Sequence, residues 1–250
     1  MKYAIIAAGE GSRLLNEGSD TPKPLVRIGG ERMIDRLIRI FLSNDAESID
    51  IIVNAEMREV YEHLCGLRLP VPLRIVRKST PSSMHSFYEL SPALENACFC
   101  LTTVDTIFRE EEFSRYIRSL KNVVEADGLM AVTDYVDDEN PLYVETDEQM
   151  TIRGFHDGKC AASRYVSGGI YGLNGKSLPV LREAVEAGMS RLRNYQRQLL
   201  RSGLKLQAWP FSKIIDVDHR DDIRKAEVFL NSTGGAPSLR SALPATKKQR

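Results

Sequence analysis

The chain has 250 residues, enough to bury a core as one large α/β domain or two small ones. Its 34 lysines and arginines are balanced by 34 aspartates and glutamates, while 42% of residues are hydrophobic and 27% charged. That balance excludes a globally basic nucleic-acid binder or membrane-surface binder, so any anion site must be local. The first predicted element is the strand "KYAIIA". The apolar run of which it is part is six residues long and ends in a charged, glycine-rich loop, too short for a signal-peptide core. No later stretch reaches membrane-spanning length.

After the loop, "ERMIDRLIRIFLSN" places Met33, Ile34, Leu37, Ile38, Phe41 and Leu42 at helical spacing. "IDIIVN" is a second strand and "MREVYEHLCG" a second helix, closed by Gly66. "LRIVR", the helix "SSMHSFYELSPAL" and the strand "CFCLTTV" follow, an alternation that argues for a largely parallel sheet with helices on both faces. From about residue 128 the texture changes. "GLMAVTDY", "PLYVETD", "QMTIRGF" and "YVSGGIYGL" are closely spaced strands, expected as antiparallel additions to the sheet. Helices "KSLPVLREAVEAG" and "SRLRNYQRQLLRSG", strands "KLQAWPF" and "IIDVD", and the helix "DDIRKAEVFLN" complete the order. There is no internal repeat. Residues 232–250, ending in "KKQR", read as a flexible, solvated tail.

The four cysteines, Cys65, Cys98, Cys100 and Cys160, show no disulfide-framework spacing, so a reduced cytoplasmic protein is expected. Cys98 and Cys100 share one face of a predicted strand. They read as buried small hydrophobes rather than half of a zinc site, because no second Cys/His pair has ligand-like spacing.

The loop "GEGSRLLNEGSDTPKPL", Gly9 to Leu25, lies where open α/β sheets bind ligands, past the carboxyl end of a strand. Gly9 and Gly11 let the backbone approach a ligand, Arg13 offers a planar fork for phosphate oxygens, and Lys23 a compact charge stiffened by Pro22 and Pro24. Two other phosphate motifs fail. GxGxxG would need glycine where Leu14 stands, and "GIYGLNGKS" has five residues between its outer glycines where a Walker A loop has four. On composition alone the first loop remains either a solvated turn or an anion site.

Taken together and in order, "AAG", "GSRL" and "PKPL" after the first strand resemble the pattern of the sugar-1-phosphate nucleotidyltransferases. The molybdopterin guanylyltransferases share that fold, but their shorter loop fits less well. The resemblance extends in weaker form to about residue 231. It implies a single α/β domain over 1–231, a Rossmann-like mixed central sheet flanked by helices, of nucleotide-diphospho-sugar transferase type. It implies that Ala7, Ala8, Gly9 and Gly11 hold the nucleotide with Arg13 on the triphosphate, and that Lys23 stabilises the phosphate undergoing displacement. Mg²⁺ would be held by Asp105, after a central strand, and by Asp218 or Asp216 from a late strand, with Asp218 favoured; Asp216 and Asp218 should point the same way.

The family's base-reading Gly-Thr loop is replaced here by "STPSSMHSFYEL", with Ser83 at the threonine's position. The family's Glu-Lys pair for the sugar phosphate is replaced by Asp157 and Lys159 at altered spacing, while "SGGIYGL" places Gly169 at the sugar. His85 stands between a ligand contact and an ordinary helix-surface residue, and His219 reads as a cap-region residue.

The expected reaction is NTP plus a sugar 1-phosphate giving a nucleotide-sugar and pyrophosphate. The partners are an NTP and a phosphorylated small molecule, without nucleic acid or membrane and with oligomeric state open. Two alternatives stand beside it: a cytidylyltransferase acting on a non-sugar phosphate such as phosphocholine or a polyol phosphate, and a catalytically silent nucleotide-binding paralogue. A dinucleotide-binding oxidoreductase is disfavoured by Leu14.

Overall fold

The computed structural model describes residues 1–232. Beyond Ser232, the tail expected over 232–250 lies outside the described residues. In chain order the elements are β1 (Lys2–Ala7), α1 (Ser12–Asn16), β2 (Arg27–Ile28), β3 (Glu31–Arg32), α2 (Met33–Leu42), β4 (Ser48–Val53), α3 (Arg58–Cys65), β5 (Leu73–Arg77) and α4 (Ser83–Leu90). They continue as β6 (Phe99–Thr103), β7 (Thr106–Ile107), α5 (Glu110–Asn122), β8 (Gly128–Thr133), β9 (Tyr143–Thr146), β10 (Ile152–His156) and β11 (Tyr165–Leu173). The last are α6 (Ser177–Glu186), α7 (Leu192–Arg201), β12 (Leu206–Phe211), β13 (Ile215–Asp216) and α8 (Arg220–Asn231).

Nine strands form one mixed sheet. β6, β1, β4 and β5 are parallel neighbours, as their βα alternation requires. β11 runs antiparallel to them. It pairs with β8 along one edge, and on the other with β6 over Ile170–Leu173 and β9 over Tyr165–Val166. The expected ribbons β8 to β11 are therefore present, and β12 closes the branch parallel to β8.

Alternation along the central strand divides the core. Tyr3 and Ile5 pack with Ile34, Phe41, Val60 and Phe113 on one face, while Ala4 and Ile6 pack with Met84, Phe87, Leu181 and Tyr195 on the other. A third apolar cluster holds Leu14, Val26, Ile28, Met33, Ile107, Ile215, Val217 and Phe229. It fastens the N-terminal loop and α8 beneath the short pair β7–β13, and so positions the site.

Several expectations need correction. The first loop contains a helical turn, α1, anchored by buried Leu14. Of "IIDVD" only Ile215–Asp216 is a strand, and it pairs with β7 outside the main sheet. Gly66 is the C-cap of α3, as expected, with φ −76°. Cys100 is buried, but Cys98 precedes β6 and is exposed, so the two do not form a buried pair; all four cysteines are free. No helix among the described residues is long and apolar enough to cross a membrane.

Candidate active site

Lys23 opens a single 3₁₀ turn, Lys23–Leu25, whose Pro24 is buried. The Gly9–Leu25 loop returns on itself there. Gly11 has φ +64°, and a β-carbon on it would lie 2.9 Å from Lys23 Cβ, so only glycine lets the two limbs of the loop touch. Gly9, by contrast, faces open space. Glu17 fixes the far side of the loop. Its carboxylate meets His219 Nδ1 at 2.6 Å and accepts from the Arg220 backbone N–H at 2.8 Å. His219 is thus a contact at the start of α8, as its cap-region reading holds, and it pairs with Glu17.

The Lys23 ammonium donates to Asp105 Oδ2 at 2.6 Å and to Asp218 Oδ1 at 2.5 Å while only 8% exposed. Arg13 donates to the other oxygen of Asp218. Residues more than a hundred positions apart meet because the turn after β6 lies against β13. Asp216 pairs with Thr106, and the Val217 N–H donates to the Asp105 carbonyl at 3.1 Å. Val217 is buried in the third cluster, so alternation turns Asp216 and Asp218 together toward the opposite side.

Burial alone would lower the Lys23 pKa, but Asp105 and Asp218 reverse it and hold the ammonium charged. Burial would raise Asp105, and Lys23 more than compensates, leaving that carboxylate below its usual range. Asp216 is different. Burial and then the neighbouring Asp105 charge push it well up, and its Oδ1 is a buried oxygen without a hydrogen-bond partner. A donor set of three carboxylates, one with an unpartnered oxygen, suits a hard divalent cation.

Two cavities reach this junction at Asp105. One, of about 670 Å³, is lined by Ala8, Gly9, Gly11, Arg13, Lys23, Asn54, Thr80, Ser83 and Asp105 among others. Of the residues expected at the nucleotide, Ala7 alone is turned away, packed in the core. Asn54, missed in the sequence, ends β4 as a buried amide. It donates to the Ala8 carbonyl at 3.3 Å and accepts from Ser79 Oγ at 2.9 Å, so it ties the loop after β1 to the loop after β5.

The second cavity, about 620 Å³, is lined by Asp105, Asp216, Asp218, Asn140, Ser167, Gly169, Tyr171, Arg191, Arg193 and Gln196 among others. Gly169, φ +72°, sits against the hydroxyls of Thr103 and Thr106. Lys159 is not brought here; it is exposed on the loop after β10 and lines neither cavity. Besides Arg13, the cations at this cavity are Arg191 and Arg193 at the start of α7. In the sequence "SRLRNYQRQ" they look like the solvated face of an amphipathic helix. Asp157, the other member of the expected pair, holds Arg193 at 3.0 Å and Arg197 at 2.8 Å.

Ser83 lies on the wall between the cavities, and its Oγ accepts from the Leu192 N–H at 3.2 Å. Ser82 does the same for the Arg191 N–H at 3.1 Å, where the backbone has φ +69°, and also meets His85 Nδ1 at 2.9 Å. Neither serine caps its own helix. Ser83→Ala is therefore expected to raise the acceptor KM severalfold and lower stability by about 1 kcal/mol. Steady-state kinetics for both substrates and a melting curve check this; a shifted nucleotide preference with an unchanged acceptor KM would place Ser83 at the base instead.

The Walker-like "GIYGLNGKS" falls at the end of β11, beside the start of β6 because Leu173 pairs with Phe99. Its Asn174–Ser177 part therefore lies at the other end of β6 from Asp105, and Lys176 is paired with Asp127 at 2.8 Å.

A family model described as the MobA-like NTP transferase domain matches residues 3–165, well over half of the chain. A bifunctional IPC transferase and DIPP synthase from Rubrobacter xylanophilus is 27% identical over 239 residues, covering 90% of this chain and 50% of that protein. The chain spans about half, or less, of the length of the curated relatives it matches. Among solved structures, the inositol-1-phosphate CTP transferase from T. maritima superposes with a TM-score of 0.77 at 19% identity, covering 94% of this chain and 98% of that one. A Bacillus anthracis chain assigned as a glucose-1-phosphate thymidylyltransferase, in complex with sucrose, gives 0.81 at 19% identity, covering 96% and 99%. At such identities the likeness concerns the fold, and the expected nucleotide-diphospho-sugar transferase type is the one found.

Proposed function

The chain belongs to the MobA-like NTP transferase domain family, and from that premise we propose that it transfers a nucleoside monophosphate from an NTP to a phosphorylated small molecule, releasing pyrophosphate. The observation that carries this reading is the Lys23–Asp105–Asp218 junction on the boundary of two polar cavities. The NTP occupies the cavity of the glycine loop and the acceptor the one beneath Gly169. An oxygen of the acceptor phosphate, already ionised, attacks the α-phosphorus in line, so no protein nucleophile is required.

An ammonium has three donors, and Lys23 uses two on carboxylates, leaving one for a phosphate oxygen of the NTP. Arg13, on the rim, holds triphosphate oxygens as a planar fork. Asp105, Asp218 and Asp216 would hold Mg²⁺, which when bound neutralises phosphate charge. Arg191 has no side-chain partner among the described residues, and with Arg193 it is the cation we assign to the acceptor's phosphate. Residues 1–231 act as one domain in this reading, in the cytoplasm.

The acceptor we propose is a sugar 1-phosphate. Asn140, Ser167, Gln196 and the two arginines suit a ring bearing several hydroxyls. A quaternary ammonium prefers an aromatic cage, and among the described residues Tyr171 is the one aromatic side chain at this cavity, so phosphocholine fits poorly. A cyclic polyol phosphate with CTP is the second reading, favoured by the name of the T. maritima protein. Pyrophosphate release across four NTPs and a panel of sugar, polyol and amino-alcohol phosphates separates them. Turnover is expected with a hydroxyl-rich phosphate, and Arg191→Ala should raise the KM for it about tenfold, one charge-assisted contact. Absence of turnover with every pair would overturn the transferase reading.

A further inference from the structure

We propose that Glu145, His156 and Cys160 form a zinc site outside the transferase cavities, one that braces the loop carrying Asp157. A carboxylate oxygen of Glu145, a ring nitrogen of His156 and the Cys160 sulfur all lie within 4.8 Å of one another. Carboxylate, imidazole and thiolate together are the donor set of a borderline-soft divalent ion, and zinc accepts all three in tetrahedral geometry. Bonds of about 2.0–2.3 Å at tetrahedral angles put ligand atoms roughly 3.3–3.8 Å apart, so side-chain rotation of about an ångström closes the set. None of the three lines either cavity at the Lys23 junction. The metal site rests on its own donors, and its effect on the acceptor cavity rests on the transferase reading.

The strand pairing makes room for an ion. Gly154 stands directly opposite Glu145 across the β9–β10 pair, and His156, two residues on, shares its face. The register shifts at this point, between Ile152 and Gly154. A β-carbon at 154 would lie 2.7 Å from His156 Nε2 and 3.0 Å from Glu145 Oε2. A side chain there would push both ligand atoms from the position in which they now meet each other at 2.8 Å. Cys160 is held from behind: Ser163, 2% exposed, donates to its carbonyl and accepts from its N–H, both at 2.8 Å.

The site's position explains what it would do. Between His156 and Cys160 lies Asp157, the residue that holds Arg193 and Arg197 on α7. An ion joining Glu145 and His156 on the sheet to Cys160 on the loop fixes Asp157, and through it the arginine at the acceptor cavity. Binding replaces the Cys160 thiol proton and the Glu145–His156 hydrogen bond with metal bonds, so uptake releases protons and weakens at low pH.

The test is metal content of the full chain after zinc loading and desalting, with cobalt substitution as a spectroscopic probe. Wild type is expected to keep one zinc per chain and, with cobalt, to show a thiolate-to-cobalt charge-transfer band. Cys160→Ser should abolish the band and the retained zinc. Gly154→Ala, which removes no ligand, should also lose the metal while its far-ultraviolet spectrum is unchanged. Asp105→Asn, at the transferase junction, should retain the zinc, which distinguishes this site from that one. Wild type that desalts free of zinc, or Cys160→Ser that keeps it with the same stoichiometry, would overturn the proposal.

Discussion

Replacing Lys23 with alanine is expected to lower kcat at saturating substrates by roughly 10²–10³-fold, the loss of about 3–4 kcal/mol for one preorganised charge contact in the transition state. The side chain owes its position to three local devices. Pro22 and Pro24 restrict the backbone on either side, Gly11 lets the opposite limb of the loop pack where a β-carbon would meet the Lys23 Cβ at 2.9 Å, and Asp105 and Asp218 hold its ammonium. In the ligand-free protein alanine also leaves two partly buried carboxylates without their cation, so the melting temperature should fall. Mg²⁺ should restore part of it, because a divalent ion compensates the same charges. The two readouts therefore part: stability recovers with metal, while turnover does not. Lys23→Arg keeps the charge but not the compact geometry, and should stay far below wild type. Full turnover in Lys23→Ala would remove the residue from the chemistry.

Much of this arrangement is legible in the sequence, because βα alternation and the glycine–arginine–Pro-Lys-Pro loop are local patterns. The strand period that places Tyr3 and Ile5 on one face and Ala4 and Ile6 on the other is read directly from "YAII". The same period aligns Asp216 with Asp218 once Val217 is recognised as an apolar anchor. What escapes is set by tertiary packing. Lys159 follows β10 at a position that resembles a family lysine, yet the loop there turns outward, and Asp157 recruits Arg193 and Arg197 from a helix forty residues on. The serines of "STPSSMH" carry helix-cap chemistry, but their hydroxyls are taken by the first N–H groups of α7. Cys160 follows His156 with three residues between them, a ligand-like spacing the sequence reading passes over, and only the β9–β10 register brings Glu145 to the pair. Local periodicity reports which face a residue occupies, not which distant backbone will claim its side chain.

Asn substitutions in the carboxylate triad are expected to separate the metal from the scaffold, since each keeps shape and removes charge. Asp105→Asn should raise the Mg²⁺ concentration for half-maximal activity and lower kcat by two to three orders of magnitude, several kcal/mol at about 1.4 kcal/mol per tenfold. Asp105 is the residue that both contacts Lys23 and, through its carbonyl, anchors Val217, so the backbone link survives the substitution while the charge does not. Asp218→Asn should resemble it and also lose stability, because Asp218 accepts from Arg13 and Lys23 together. Asp216→Asn should have opposite signs in the two assays. Its Oδ1 is buried without a donor and its carboxyl faces Asp105, so neutralising it should leave the metal-free protein as stable or more so. If Asp216 is a metal ligand, the same variant should lose turnover and metal dependence as Asp105→Asn does. Melting curves without metal, read beside Mg²⁺ titrations of pyrophosphate release on the three variants, decide the assignment. Asp216→Asn with undiminished turnover would leave Asp105 and Asp218 as the metal pair, whereas undiminished turnover in both late-strand variants would place the metal elsewhere.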